Sequence, residues 1–460
     1  MAQWSMTELS SVVSFDRIDG EYYLPEFTDN QAILSKVNTA SLPQLFYISD
    51  GNHLSVSKHF CKSEGVPYFR GQDVNNFFLE NANPIKIPKK IFDKPMMRRS
   101  HFFNEDVLIS IVGTIGNLSL VTDKIGYATG SCKIAILRSK GDFSPYFLAT
   151  FLASKYGQLQ IKRNTRGAVQ MGLILNDFSR LRIPIVSRNE QIKIEKIVKN
   201  AIKNNRRSKD LYTQAQRHLE SELGLDKLKF KKPVGYKARF SKVGLSDALN
   251  AGRIDAQCFA PDVIFYEEWL CKHAHSEKLD HLLKAKIKGK QQDEVEKGTT
   301  DYCSIKHISG HEMTEASKCL PSSDTPLATQ NNLLLAITGA TIGKIGIVKR
   351  YKQLAFSGDL LCLKISPELD PHYLLVVLDH SIGQVQFNRW VTGSTNGHLA
   401  PRDVGKILVP RLKKSIETHI AKLVEESLKK RLESEKMLDQ AKSRVERLIE
   451  ETAEAQGENL

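Results

Sequence analysis

Hydrophobic and polar positions along this chain fall into two rhythms, and each rhythm occurs twice. Short alternating apolar runs broken by glycine, "LISIVGTIGNLSLV" at 108–121 and "LLLAITGATIGKIGIV" at 333–348, predict strand–turn–strand units. After each comes a helical spacing, with Phe147, Phe151, Leu152 and Leu159 in the first instance and "PHYLLVVLDHSIGQVQF" at 371–387 in the second. A polar loop, a short strand ending in proline and a long charged segment follow. In 188–223, Ile194, Val198, Ala201, Tyr212, Ala215 and Leu219 keep a 3.5-residue period that Asn205 and Ser208 interrupt. In 416–453, Ile420, Val424, Leu438, Ala441 and Val445 do the same, interrupted at Arg431 and Ser434. An apolar seam with a charged exterior is a coiled-coil signature. The simplest arrangement is an antiparallel pair of helices, each roughly 50 Å long at 1.5 Å per residue.

The two rhythms are copies. Residues 145–184 align with 371–410 without a gap, identical at eleven of forty positions, among them Gly157/Gly383, Gln158/Gln384, Gln160/Gln386, Arg163/Arg389 and Asp177/Asp403. Upstream, "RIDGEYYLPE" at 17–26 matches "RIDAQCFAPD" at 253–262. The repeat predicts an α/β (α+β) protein with two tandem domains, 1–187 and 225–411, each followed by a long helix, 188–224 and 412–460.

Composition narrows the function. A formal charge of +14 points to a polyanionic partner, nucleic acid above all. Seven cysteines with no CxxC spacing argue against disulfides and zinc, and fit a reducing cytoplasm. No apolar run approaches a membrane span, and the first residues show no secretion signal. "GATIGK" at 339–344 is one residue short of a phosphate loop and has Ile345 where Ser or Thr should follow. The other copy has Asn117 at the lysine position. "NPIKIP" at 83–88 does not supply the Asn/Asp-Pro-Pro-aromatic run of an amino-methyltransferase, and "PDVIFYEEWLCK" misses nuclease spacing.

The duplicated pattern resembles the specificity (S) subunit of type I restriction–modification systems. "GTIGNLSLV" and "GATIGKIGIV", the loops around Gly167 and "TGSTNGHL" at 392–399, and the "IPIVSRNEQIKIEKI" approach to the first long helix carry the likeness. The second approach, "VPRLKKSIETHIAKL", departs from it with Glu417 in place of Gln191, and "TRGAVQMGL" is a loose version of the first loop. The resemblance implies a non-catalytic DNA reader in the cytoplasm that binds double-stranded DNA at a split site. It also implies two methyltransferase subunits as partners and, in restriction complexes, nuclease–translocase subunits. S-adenosylmethionine, ATP and Mg would belong to those partners, and this chain would hold no cofactor or metal. The alternatives are an autonomous DNA-modifying or DNA-cutting enzyme, or a coiled-coil adaptor without DNA binding.

If the copies read different half-sites, shared positions should be framework or phosphate contacts, and base readers should lie where the copies diverge. Arg163 and Arg389, shared at a helix end, are candidates for the DNA backbone. In the first divergent zone, Arg70, Gln72, Asn75 and Asn76 share one loop, and Arg98 and Arg99 follow. In the second stand Lys288, Lys290, Gln291, Gln292, Lys306 and His307. Arg and Lys suit guanine edges, and Gln and Asn suit adenine. The seam residues Ile194, Val198, Tyr212, Leu219, Ile420, Val424, Leu438 and Val445 are assigned to the spacer and to partner contact.

Overall fold

The computed structural model describes residues 12, 17–61, 64–79, 84–167, 171–228, 249, 251–393 and 396–457. Parts of both quoted loops, 168–170 and 394–395, lie outside them. The chain forms two compact units, Met1–Asn204 with Glu433–Leu460, and Asn205–Leu432. This departs from the boundaries expected above. Each unit takes a segment of both long helices, Arg188–Glu222 and Lys414–Gly457, because each globular part needs an apolar helix face to close its core.

Among the described residues the first unit carries ten strands. They are β1 (Thr39–Ser41), β2 (Phe46–Asp50), β3 (Val66–Phe69), β4 (Ile85–Ile87), β5 (His101–Phe102), β6 (Val107–Ser110), β7 (Leu118–Leu120), β8 (Ala128–Gly130), β9 (Ile134–Ser139) and β10 (Arg182–Pro184). They form sheets of order β2-β9-β6-β7 and β4-β3-β8-β5, and β1 pairs antiparallel with β10. β6, β7 and most of β9 are buried, which is why they read as continuous apolar runs.

The second unit repeats this frame. β11 (His275–Lys278), β12 (Leu283–Lys288), β13 (Thr300–Cys303), β14 (Ile308–Ser309), β15 (Glu312–Met313), β16 (Ser317–Cys319), β17 (Leu327–Thr329), β18 (Leu333–Ala336), β19 (Ile345–Ile347), β20 (Gln353–Phe356) and β21 (Leu360–Ile365) precede β22 (Val391–Thr392), β23 (His398–Leu399) and β24 (Leu408–Arg411). The orders β12-β21-β18-β19 and β16-β13-β20-β17, and the β11–β24 pair, match the first unit strand for strand. The β14–β15 hairpin extends one sheet edge beyond β19.

The shared Gly-Gln-x-Gln run shows why the copies keep it. It sits where the helix Pro145–Ala153 meets Lys155–Arg163, and where Pro371–Asp379 meets Ser381–Trp390. A β-carbon on Gly157 would lie 2.3 Å from the Phe151 carbonyl oxygen, and one on Gly383 would lie 2.5 Å from that of Leu378, so neither tolerates a side chain. Gln158 Nε2 donates to the Gly116 carbonyl at 3.1 Å, and Gln384 Nε2 to that of Gly343 at 3.0 Å. Each thereby ties a helix to the glycine turn of "GTIG" or "GATIG". Gln160 bonds both backbone groups across Arg182, and Gln386 does so across Leu408, fixing β10 and β24. These turns are strand–turn–strand connections, as expected.

Within each unit the two long-helix segments run antiparallel. In the first, Arg444 meets Glu190 at 2.5 Å and Ser434 Oγ donates to the Ala201 carbonyl at 2.8 Å. In the second, Ser427 Oγ donates to the Ser208 carbonyl at 2.7 Å, and the His218 and His419 rings meet edge-on. The polar residues that interrupt the seam are thus partly internal: Ser208 and Ser434 are buried, and the Ser434 hydroxyl is satisfied by donating to a helix carbonyl. Ile194, Val198, Tyr212, Leu219, Ile420, Val424 and Val445 are buried core, and Leu438 is packed against it. These side chains are consumed inside the units, which removes them as direct contacts for a partner subunit.

Candidate nucleic-acid interface

After β3 and after β13 the chain makes the same short 3₁₀ turn, with none of its four residues shared. In the first unit the Arg70 backbone N–H donates to Asp73 Oδ2 at 2.8 Å. In the second the Ser304 N–H donates to His307 Nδ1 at 2.9 Å. Each fourth residue closes its turn in the manner of a capping side chain. This corrects the assignment of His307 as a base reader. It is buried, its ring accepts a backbone bond, and burial, aided by the Lys306 charge, lowers its basicity.

Arg70 is held by Asp73, with Nε 3.2 Å from Oδ2. Gln72 is exposed on the same turn, and exposed Asn75 and Asn76 follow, with Asn76 Nδ2 donating to Asn75 Oδ1 at 2.9 Å. Arg99 is paired with the buried carboxylate of Asp50, which also accepts from His53 Nε2 at 2.5 Å. Beside it Arg98 is exposed, with no polar partner among the described residues.

In the second unit Lys288 is exposed at the end of β12, likewise unpaired among the described residues. Lys290 pairs with Asp324 at 2.8 Å. That bond, with one from Ser322, lowers the Asp324 carboxyl to about 2. Gln291 is exposed and Gln292 half-buried, and Gln292 Nε2 donates to the Gln291 carbonyl at 2.9 Å. Lys306 is exposed and meets Glu294 at 2.8 Å. Bonds from Lys306 and Ser317 hold Glu294 below the usual carboxylate range. Solvent and salt screen exposed pairs of this kind, so a phosphate or base edge can displace the carboxylate at little cost.

Arg163 and Arg389 face inward and are not backbone-contact candidates. Arg163 Nε donates to the Tyr22 carbonyl at 3.0 Å, its Nη1 reaches Gln31, and its guanidinium lies 4.2 Å from the centre of the Tyr22 ring. Arg389 pairs with Glu267 and lies 5.0 Å from the Trp390 ring centre. A signal was available in the sequence: Tyr23 and Phe259, aligned aromatics of the two "RID" segments, both lie within cation–π range of these arginines.

Beyond the second turn the units diverge. The β14–β15 hairpin turns through Gly310 and His311, both at positive φ, as such a tight turn requires. It is fixed to both long helices. Arg431 Nη2 donates to Ser309 Oγ at 2.8 Å, and the His311 ring stacks on Tyr212 at 4.1 Å. Tyr212 and His311 converge on Asp379 Oδ2, at 2.9 and 3.2 Å. In the first unit the equivalent positions are Leu438, Phe77 and Ala153, all apolar and packed on one core. Sequence reasoning did not find this polar cluster, because its three members lie far apart along the chain.

Among the described residues no cluster of His, Cys, Asp and Glu could hold a metal ion, the cysteines are free, and no helix is long and apolar enough to cross a membrane.

Residues 35–217 match the family described as the type I restriction modification DNA specificity domain. No curated protein sequence matches the chain. Among solved structures, it is similar to the type I restriction–modification S subunit from M. genitalium. Identity there is 14%, over 90% of this chain and 96% of that one, with a TM-score of 0.40. It is also similar to the HsdS subunit from Thermoanaerobacter tengcongensis, at 13% identity over 91% and 96%, with a TM-score of 0.29.

Proposed function

We propose that the chain is the sequence-reading subunit of a type I restriction–modification system, itself non-catalytic, a reading supported by the match of residues 35–217 to the family described as the type I restriction modification DNA specificity domain. The observation that carries the reading is the strand-for-strand repetition of the frame. The orders β2-β9-β6-β7 and β12-β21-β18-β19 are the same, as are β4-β3-β8-β5 and β16-β13-β20-β17. Two copies of one frame with different exposed polar residues suit a DNA site split into two different half-sites. The surplus of positive charge suits the phosphate backbone.

In this reading the chain holds two methyltransferase subunits that modify adenine with S-adenosylmethionine. A restriction complex adds an ATP- and Mg-dependent nuclease–translocase. Those cofactors belong to the partners, and the complex works in the cytoplasm.

The test is methylome sequencing of cells expressing the chain with its neighbouring methyltransferase, against cells lacking the chain. A methylated adenine motif split by a fixed unread gap, present only with the chain, is expected. Methylation by an active methyltransferase that is unchanged when the chain is removed would refute the reading.

A further inference from the structure

The capped turns after β3 and β13 occupy the same place in each frame. On the incoming side, Tyr68 pairs in parallel with Thr129, and Tyr302 with Ala355. On the outgoing side, the Leu120 N–H donates to the Phe77 carbonyl at 2.8 Å, and the Ile347 N–H to that of His311 at 2.8 Å. From Tyr68/Tyr302 through the turn to Phe77/His311, every equivalent pair is separated by the same 234 positions. Neither insertion nor deletion has entered this stretch, although none of the four turn residues is common to both copies.

Within the turn, the roles divide by position. The fourth residue, Asp73 or His307, turns back to close it. The third, Gln72 or Lys306, is exposed in both units and takes no part in the closure. A fixed backbone that presents one variable polar side chain is what reading two different half-sites with one frame demands. In the second unit the hairpin after the turn is drawn onto the long helices through Ser309 and His311. The first unit has exposed Asn75 and Asn76 on that side instead. Lys306 itself stays at the surface, where its ammonium meets Glu294 at 2.8 Å.

The chemistry of the two side chains differs in a way bases can distinguish. A glutamine amide donates and accepts together, which matches N6 and N7 of adenine. A lysine only donates, which matches O6 and N7 of guanine. Resting on the DNA-reading function above, we infer that the third position of this turn is a specificity-determining position in each unit. Gln72 reads an adenine in one half-site, and Lys306 reads a guanine in the other.

The experiment is methylome sequencing of the full chain with its methyltransferase, as wild type and as Gln72→Lys, Lys306→Gln and Lys306→Arg. Gln72→Lys is expected to change one adenine of one half-site towards guanine. Lys306→Gln should change one guanine of the other half-site towards adenine, each leaving the remaining half unaltered. Discrimination at the affected base should shift by roughly 5- to 150-fold. Lys306→Arg keeps donors and should keep the guanine.

An unchanged motif in both swap variants overturns the assignment. So does methylation weakened alike on every sequence by a variant whose thermal melt is that of wild type, because that marks a phosphate contact. A wild-type chain that directs no split motif refutes the underlying function, and is told apart from the first two outcomes by the wild-type control.

Discussion

Asp379 stands where the first unit has apolar Ala153, and removing its carboxylate tests what that difference contributes. The carboxylate accepts from the Tyr212 hydroxyl and lies 3.2 Å from His311 Nε2. Burial pushes Asp379 up, but the His311 contact and the Tyr212 hydroxyl outweigh it, so the group stays below its usual range. Burial and the Asp379 charge push the Tyr212 phenol far above its own range, which keeps it a donor. Hydrogen bonds to a charged group are worth about 1.5–3 kcal/mol each, and a buried donor left unmet costs about 1–3 kcal/mol. The two contacts share one oxygen and are not additive, so Asp379→Ala should destabilise the second unit by roughly 2–4 kcal/mol.

Urea denaturation of Asp379→Ala, Tyr212→Phe and the double variant forms a cycle that isolates the coupling. Tyr212→Phe should cost about 1–2 kcal/mol in wild type and almost nothing once Asp379 is gone. Because the folded carboxyl lies below its unfolded value of about 3.9, the contribution is fully present above pH of about 4. It is lost as pH falls through the lower folded value. Additive single effects, or an Asp379→Ala penalty that persists undiminished well below that window, would refute the reasoning.

Gly157→Ala gains about 1 kcal/mol of helix propensity but drives a methyl into the Phe151 carbonyl and Leu152; a net loss of about 1–3 kcal/mol is expected in thermal melts, and likewise for Gly383→Ala. Arg163→Ala should lower stability, read by the same melts, while leaving the salt dependence of DNA binding unchanged, since the guanidinium is spent on Tyr22 and Gln31. Arg98→Ala, at a base-reading candidate, should melt like wild type and relax discrimination at one base of the methylated motif by about 1–3 kcal/mol, read by methylome sequencing.

The duplication, the glycine turns and the two long helices were legible in the sequence because each is a periodic or repeated pattern. The exchange of helix segments between units was not. Ile194 and Ile420 show the same period whether they face a partner helix, their own domain or both. Arg163 and Arg389 misled for a related reason: a repeated cation reads alike over an aromatic ring or beside a phosphate. Gln158 and Gln160 were visible as shared letters, but their separate duties at Gly116 and Arg182 depend on folding brought about by other residues. His307 was misread because its ring nitrogen replaces the carboxylate of Asp73, a substitution that only backbone geometry reveals.

The segment Glu433–Leu460 belongs to the same unit as Met1–Asn204, whereas Asn205–Leu432 is continuous. On the ribosome these units have different histories. The second can close as soon as its own stretch has emerged. The first must wait with part of its core uncovered until Ala441, Val445 and Ile449, which belong to that core, have been synthesised. The half made first is finished last, so a premature stop that spares every residue of the first globular part would still leave it without a wall.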